Sequence, residues 1–235
     1  MSTHTAHPAH PAGTTTQEGG RVTDPSRPMR WAAGIALLAA PLLWSAGMVT
    51  SPEQASMADA DYVSSLARNL TQTEVSALFL HYGNLFIGLG ILAAPTLVRG
   101  RRGSRLVVVG SLLAALGFTN VSGMILSDWW NMSIGTLLPI DQAAEVFAMF
   151  KASDLLWIWN GTEMLSLVGP LLLLAGLARS GVLGWYTLAL MVGGVAGLMF
   201  IPVSLPWATA IAVLVGFSPF ALVGLRIVQR LRVAG

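Results

Sequence analysis

The 235-residue sequence has no cysteine, one lysine and few charges of any kind, with Asp, Glu, Lys and Arg together making up 10% of it. The missing cysteines exclude disulfides, thiolate metal sites and cysteine nucleophiles. So low a charge content excludes an ordinary water-soluble domain, in which roughly 25% of residues are charged. Also absent are a phosphate-binding glycine loop, paired metal ligands and a nucleophile–base motif. What fills the chain instead is hydrophobic side chains, 54% of the total. A spanning helix needs about 20 of them in a row.

Six apolar stretches reach that length: 31–49, 75–98, 106–126, 155–178, 182–201 and 207–227. The expected fold class is therefore all-α, a polytopic membrane protein with a six-helix transmembrane domain over 31–227. Residues 1–30, rich in Thr, Pro, Gly and His, read as a disordered tail, and 228–235 as a short second tail. Cleavage after Ala58-Asp59-Ala60, as in a signal peptide, is the alternative for the start, but the first run is long enough to span and that site lies far beyond it.

Basic residues near span ends stay cytoplasmic. Arg21, Arg27 and Arg30 precede span one; Arg99, Arg101, Arg102 and Arg105 join spans two and three; Arg179 joins four and five; Arg226, Arg230 and Arg232 follow six. Only Arg68 and Lys151 fall on the other side, together with eight of the acids from Glu53 to Asp154. Both termini are therefore expected inside. The Arg99–Arg105 cluster is accounted for by topology and anionic lipid, with no nucleic-acid partner. Twelve arginines to one lysine in an Ala/Gly/Leu-rich chain is the usage of a GC-rich bacterium, which discounts the four Asn-X-Ser/Thr glycosylation patterns.

The two outer connections are expected to form short amphipathic helices. Ser51-Pro52-Glu53-Gln54 reads as a helix start, with Met57, Val63, Leu66 and Leu70 following at roughly helical spacing. Thr71-Gln72-Thr73-Glu74 reads as a capping box starting span two, and Asp141–Lys151 presents Val146, Phe147 and Phe150 on one side, with Ser153 as a cap for span four.

Function then turns on the polar groups inside the spans, since ionisable residues there tend to face the bundle interior. His81 and Asn84 lie in span two, Asn120 and Ser122 in span three, Asn160 and Glu163 in span four, and Asp128 just beyond span three. Small and polar residues share helix faces there, so spans two, three and four should be neighbours, and His81 and Glu163 should approach each other at similar depth. Gly193, Gly194 and Gly197 give span five a close-packing face. Tyr82, Trp129, Trp130, Trp157 and Trp159 gather at the outer ends of the same spans.

One reading is a membrane-embedded enzyme doing acid-type chemistry, such as cyclisation, on an isoprenoid or lipid-like substrate. Glu163 would be the acid, His81 its partner, and Asn84, Asn120, Asn160, Asp128 and the five aromatics the substrate-binding groups. A second is a non-catalytic lipid- or quinone-binding or complex-assembly protein, with a membrane protein as possible partner; a third is a small-molecule transporter. The same cluster could also be structural glue between helices. No cofactor is expected: His81 is the only histidine in a span, which excludes a bis-histidine haem, and His4, His7 and His10 are interleaved with Pro8 and Pro11.

Overall fold

A computed structural model describes residues 24–233, which are helical with no strands. The tail up to Thr23, with its three histidines, and the last two residues lie outside the described part. Ten α-helices follow in order: α1 (Arg27–Thr50), α2 (Asp59–Arg68), α3 (Leu70–Ile91), α4 (Ser104–Leu137), α5 (Ile140–Lys151), α6 (Leu156–Glu163), α7 (Leu165–Arg179), α8 (Tyr186–Phe200), α9 (Pro206–Gly216) and α10 (Ser218–Val233). Five helical stretches are long and apolar enough to cross a membrane: α1, α3, α4, α6–α7 and α9–α10. The sixth expected span yields only the 15-residue α8.

Prolines explain most of the breaks. The residue before a proline is pushed out of the helical region, and Ile201 before Pro202 is extended (φ −73°, ψ 130°), ending α8. Pro95 cannot donate to the Ile91 carbonyl, and α3 gives way to a 3-10 turn at Ala94–Leu97. Pro219 likewise cannot reach the Val215 carbonyl. There the Ser218 hydroxyl donates to it at 2.6 Å, and the chain breaks for one residue, Phe217, between α9 and α10.

The long helices form a closed ring. α1 packs on α3, α3 on α4, α4 on α7, α7 on α8, α8 on α9 and α10, and those last two on α1. Inside, Trp44, Phe118, Phe217 and Phe220 meet edge to face, with centroids 5.3–6.1 Å apart. Glycines set the spacing: α8 meets α9 where a methyl group on Gly194 would lie 2.5 Å from Gly216 Cα, and Gly197 faces Ala212. Gly193 points into open space, so the expected packing face of span five is real but excludes that residue.

Contacts also sort the helix ends. Arg27 donates to the Leu231 carbonyl and Arg230 to that of Thr96, while Gly103 lies against Gly176. Hence the start of α1, the turn after α3, the end of α7 and the end of α10 lie together, and with them Arg27, Arg30, Arg99, Arg101, Arg102, Arg105, Arg179, Arg226, Arg230 and Arg232. At the opposite end α2 and α5 pack on each other and on α4.

Several expected boundaries move. Helix α1 starts at Arg27, inside the expected tail, because Asp24 accepts from the Ser26 amide at 2.9 Å and pairs with Arg30. Helix α10 likewise runs through Val233. Ser51 starts no helix: its hydroxyl turns back to the Gly47 carbonyl (2.9 Å) and Ser76 (2.8 Å), tying α1 to α3, and α2 begins only at Asp59. Helix α3 is capped by Asn69, whose side chain accepts from the Gln72 amide at 3.1 Å. Span three does not stop at Leu126. It continues to Leu137, making α4 34 residues and about 51 Å long.

Candidate functional site

Three polar junctions are built on α4. At the first, where α3 crosses it, His81 Nδ1 lies 2.8 Å from Ser122 Oγ and 3.1 Å from the Ser122 carbonyl oxygen. Ser122 Oγ is also 3.2 Å from the His81 carbonyl oxygen, so the two residues are closed on each other. One turn along α3, Asn84 is 0% exposed; its Nδ2 donates to the Leu80 carbonyl at 2.8 Å, and its Oδ1 has no partner among the described residues. Tyr82 packs edge-on against His81 at 5.2 Å but is itself largely exposed.

The second junction faces α6. Asn120 Nδ2 donates to the Trp159 carbonyl at 3.0 Å, and the Trp159 ring lies over Gly123. Helix α6 has no buried residue. Asn160 and Trp157 are exposed, and Glu163, its last residue, is half-buried with no hydrogen bond or ion pair of its carboxyl among the described residues. The expected approach of His81 and Glu163 is not made. Spans two, three and four are neighbours as expected, but α4 stands between α3 and α7, and no ion pair within 4.0 Å joins the two side chains.

The third junction lies on the extension of α4 beyond residue 126. Tyr62 of α2 donates its hydroxyl to Asp128. Burial, and then the Asp128 charge, push the Tyr62 phenol well above its ordinary value. Asn131, one turn on, is 1% exposed, and its Oδ1 has no partner among the described residues; nor has Trp129 Nε1. Tyr62 was not singled out in the sequence. The signal was present, since an amphipathic helix bound to pack over the end of span three carries one phenol, and Asp128 needs a donor.

Helix α5 closes over this junction. Val63, Ile134 and Ala143 form a small core, against which Tyr62, Val146 and Phe147 pack. The Phe147 ring lies 5.0 Å from that of Tyr62 and 5.0 Å from Lys151 Nζ, and Lys151 pairs with Asp59 of α2. The ion pair is exposed and screened, so Lys151→Met should cost below about 1 kcal/mol. Phe147→Ala, which removes the packing, should cost about 2 kcal/mol. Amide hydrogen exchange of α5 separates the two: equal exchange rates in both variants would contradict the ranking.

Beside this junction, between α4 and α5, runs an open groove of about 500 Å³. Ser127 and Trp130 line it from α4, three residues apart, and Val146 lines it from α5 together with Met149 and Phe150, three and four residues further on. Trp130 is 61% exposed. No cluster of three or more metal-ligating side chains occurs among the described residues. The sequence matches no protein-family model, and no curated protein or solved structure matches it.

Proposed function

We propose that the chain is a multi-pass cell-membrane protein of bacterial origin that binds a hydrophobic, lipid-like or quinone-like molecule in the groove between α4 and α5. In this reading it crosses the bilayer six times, α8 with its flanking turns supplying the crossing that length alone does not. Both termini and the arginine end lie in the cytoplasm, as basic residues favour, and α2 and α5 cap the outer face.

The observation that carries the binding reading is the groove. Its volume falls within the 300–1,000 Å³ of small-molecule sites, and its wall is aromatic and aliphatic with one hydroxyl, from Ser127. Acid-type chemistry is less well supported, because its two groups form no ion pair: His81 meets α4 at Ser122, whereas the helix carrying Glu163 meets it at Asn120 and Gly123. The test is quenching of tryptophan fluorescence by a doxyl-labelled fatty acid and by a short-chain quinone, on the purified chain in nanodiscs. Trp130→Phe should remove a saturable part of the quenching. Met149→Ala with Phe150→Ala should weaken it at least tenfold, since each large apolar side chain buried by a ligand contributes roughly 1.5–3 kcal/mol. Saturable quenching that is identical in both variants would place the ligand elsewhere.

A further inference from the structure

Topology explains which end of the bundle the arginines occupy, but not how two of them are held at the seam between α1 and α10. Ten arginines lie at this end, and among the described residues the only acid with them is Asp24, which pairs with Arg30. Orientation requires such charges to lie near the span ends, not to be fixed there. At the seam they are fixed. Arg27 Nη2 donates to the Leu231 carbonyl at 3.3 Å, and the Arg232 guanidinium lies 5.9 Å from the centre of the Trp31 ring. Arg27 and Trp31 are four residues apart on one face of α1, and Ile35 and Leu42 continue that face as exposed apolar side chains. On α10, Leu225 lies two turns before Arg232 on the same face and is exposed too.

We propose that this seam binds an anionic phospholipid, its phosphate at Arg27 and Arg232 and its acyl chains over Ile35, Leu42 and Leu225. Each arginine is held by a neutral group, a carbonyl for one and an aromatic face for the other, so it is positioned while its charge stays uncompensated among the described residues. A guanidinium has five donors and a carbonyl takes one; the rest form the planar fork that suits a pair of phosphate oxygens. Fixing a side chain beforehand lowers the ordering cost of binding. Trp31 marks the depth, since tryptophan settles at headgroup level, and basic pockets between helix ends on the cytoplasmic side are where such headgroups dock. Two guanidiniums, an aromatic ring and then exposed apolar side chains follow one another along the seam in the order of a lipid from headgroup to tail. A soluble phosphate compound would use only the first part of that order, which favours the lipid. The choice of the cytoplasmic leaflet rests on the orientation proposed above; the seam itself does not.

Native mass spectrometry of the purified chain in dodecyl maltoside, titrated with phosphatidylglycerol or with phosphatidylcholine of the same acyl chains, reads the preference directly. Wild type should bind phosphatidylglycerol at least tenfold more tightly, and excess inorganic phosphate should not displace it. Arg27→Gln with Arg232→Gln should weaken that binding at least tenfold, the combined effect of two basic residues beside a phosphate. Arg27→Lys with Arg232→Lys should keep most of the affinity, because the charges remain. Arg101→Gln with Arg102→Gln removes as much charge from two exposed positions ahead of α4 and should stay close to wild type. A wild type without preference, displacement by inorganic phosphate, a lysine pair as weak as the glutamine pair, or equal losses at the seam and ahead of α4 would each overturn the proposal. The lipid and phosphate comparisons stand even if a seam variant fails to fold, and none of these results depends on whether the groove between α4 and α5 binds a ligand.

Discussion

Gly117→Leu should leave no folded protein. Helix α4 carries Gly110 and Gly117 seven residues apart, with Gly103 the same interval ahead at its N-cap, and α7 carries Gly169 and Gly176 at that interval too. A seven-residue stripe stays on one face when two helices wind round each other with a left-handed twist. A methyl group on Gly117 would lie 2.6 Å from Ser166 Cα, one on Gly110 2.8 Å from Leu173 Cα, and one on Gly169 2.6 Å from Ala114 Cα. Each obstacle is backbone, which cannot rotate aside as a side chain can, so the helices must separate. Overpacking relieved by rotamer changes costs typically 1–3 kcal/mol. Gly117→Ala should reach that range, and leucine should exceed the roughly 5 kcal/mol margin at the low end of protein stability. Gly193→Leu is the control and should leave the melting temperature close to that of wild type. The readout is monodispersity and thermal unfolding in detergent. A Gly117→Leu protein melting near wild type would mean that the α4–α7 contact is looser than drawn.

That interface was legible in part. In the sequence of span three, Gly110 and Gly117 fall on one helix face with Asn120, and α4 does pack against both α3 and α7, because small residues on a helix surface state where another backbone comes close. Depth was also legible: His81 meets Ser122, and Glu163 lies level with residues 117–120, as counting about 1.5 Å per residue implies. What counting cannot give is the angle between two helices that share a neighbour. α3 and α7 both pack on α4 without meeting substantially, so two polar groups at one depth need not touch.

Hydropathy was a poor guide to helix ends, for reasons that lie in single residues. The apolar run 182–201 hides a start delayed by Gly181, at φ +77°, and an end forced by Pro202, leaving the 15 residues of α8. The polar run 127–137 reads as a loop by composition, yet nothing in it stops a helix. Ser133 and Thr136 return their hydroxyls to the carbonyls four residues back, at 2.8 Å each, and α4 ends just ahead of Pro139. That unforeseen extension carries Ser127, Asp128, Trp130 and Asn131, and with them both the groove and the support of the cap.

The cap's own stability should hinge on one phenol. Tyr62→Phe removes the donor to Asp128 and leaves a half-buried carboxyl group without its partner, which should cost roughly 1–3 kcal/mol. Adding Asp128→Leu removes the group left unsatisfied, so the double variant should recover much of that loss, a non-additivity that packing alone would not produce. The dependence on pH has a definite sign. Because burial and the Asp128 charge raise the Tyr62 value in the folded chain, the phenol stays protonated there while an unfolded tyrosine ionises near pH 10. The stabilisation is therefore complete below about pH 10 and is lost progressively as pH rises above it. Labelling of a single cysteine placed at the fully buried Ala143 reports when α5 lifts from α2. In that background labelling should accelerate above about pH 10, and with Tyr62→Phe it should be faster at neutral pH and lose most of its alkaline rise beyond that of the thiol itself. An alkaline rise that survives Tyr62→Phe unchanged would assign the transition to another group and leave the Tyr62–Asp128 bond without its role in holding the cap.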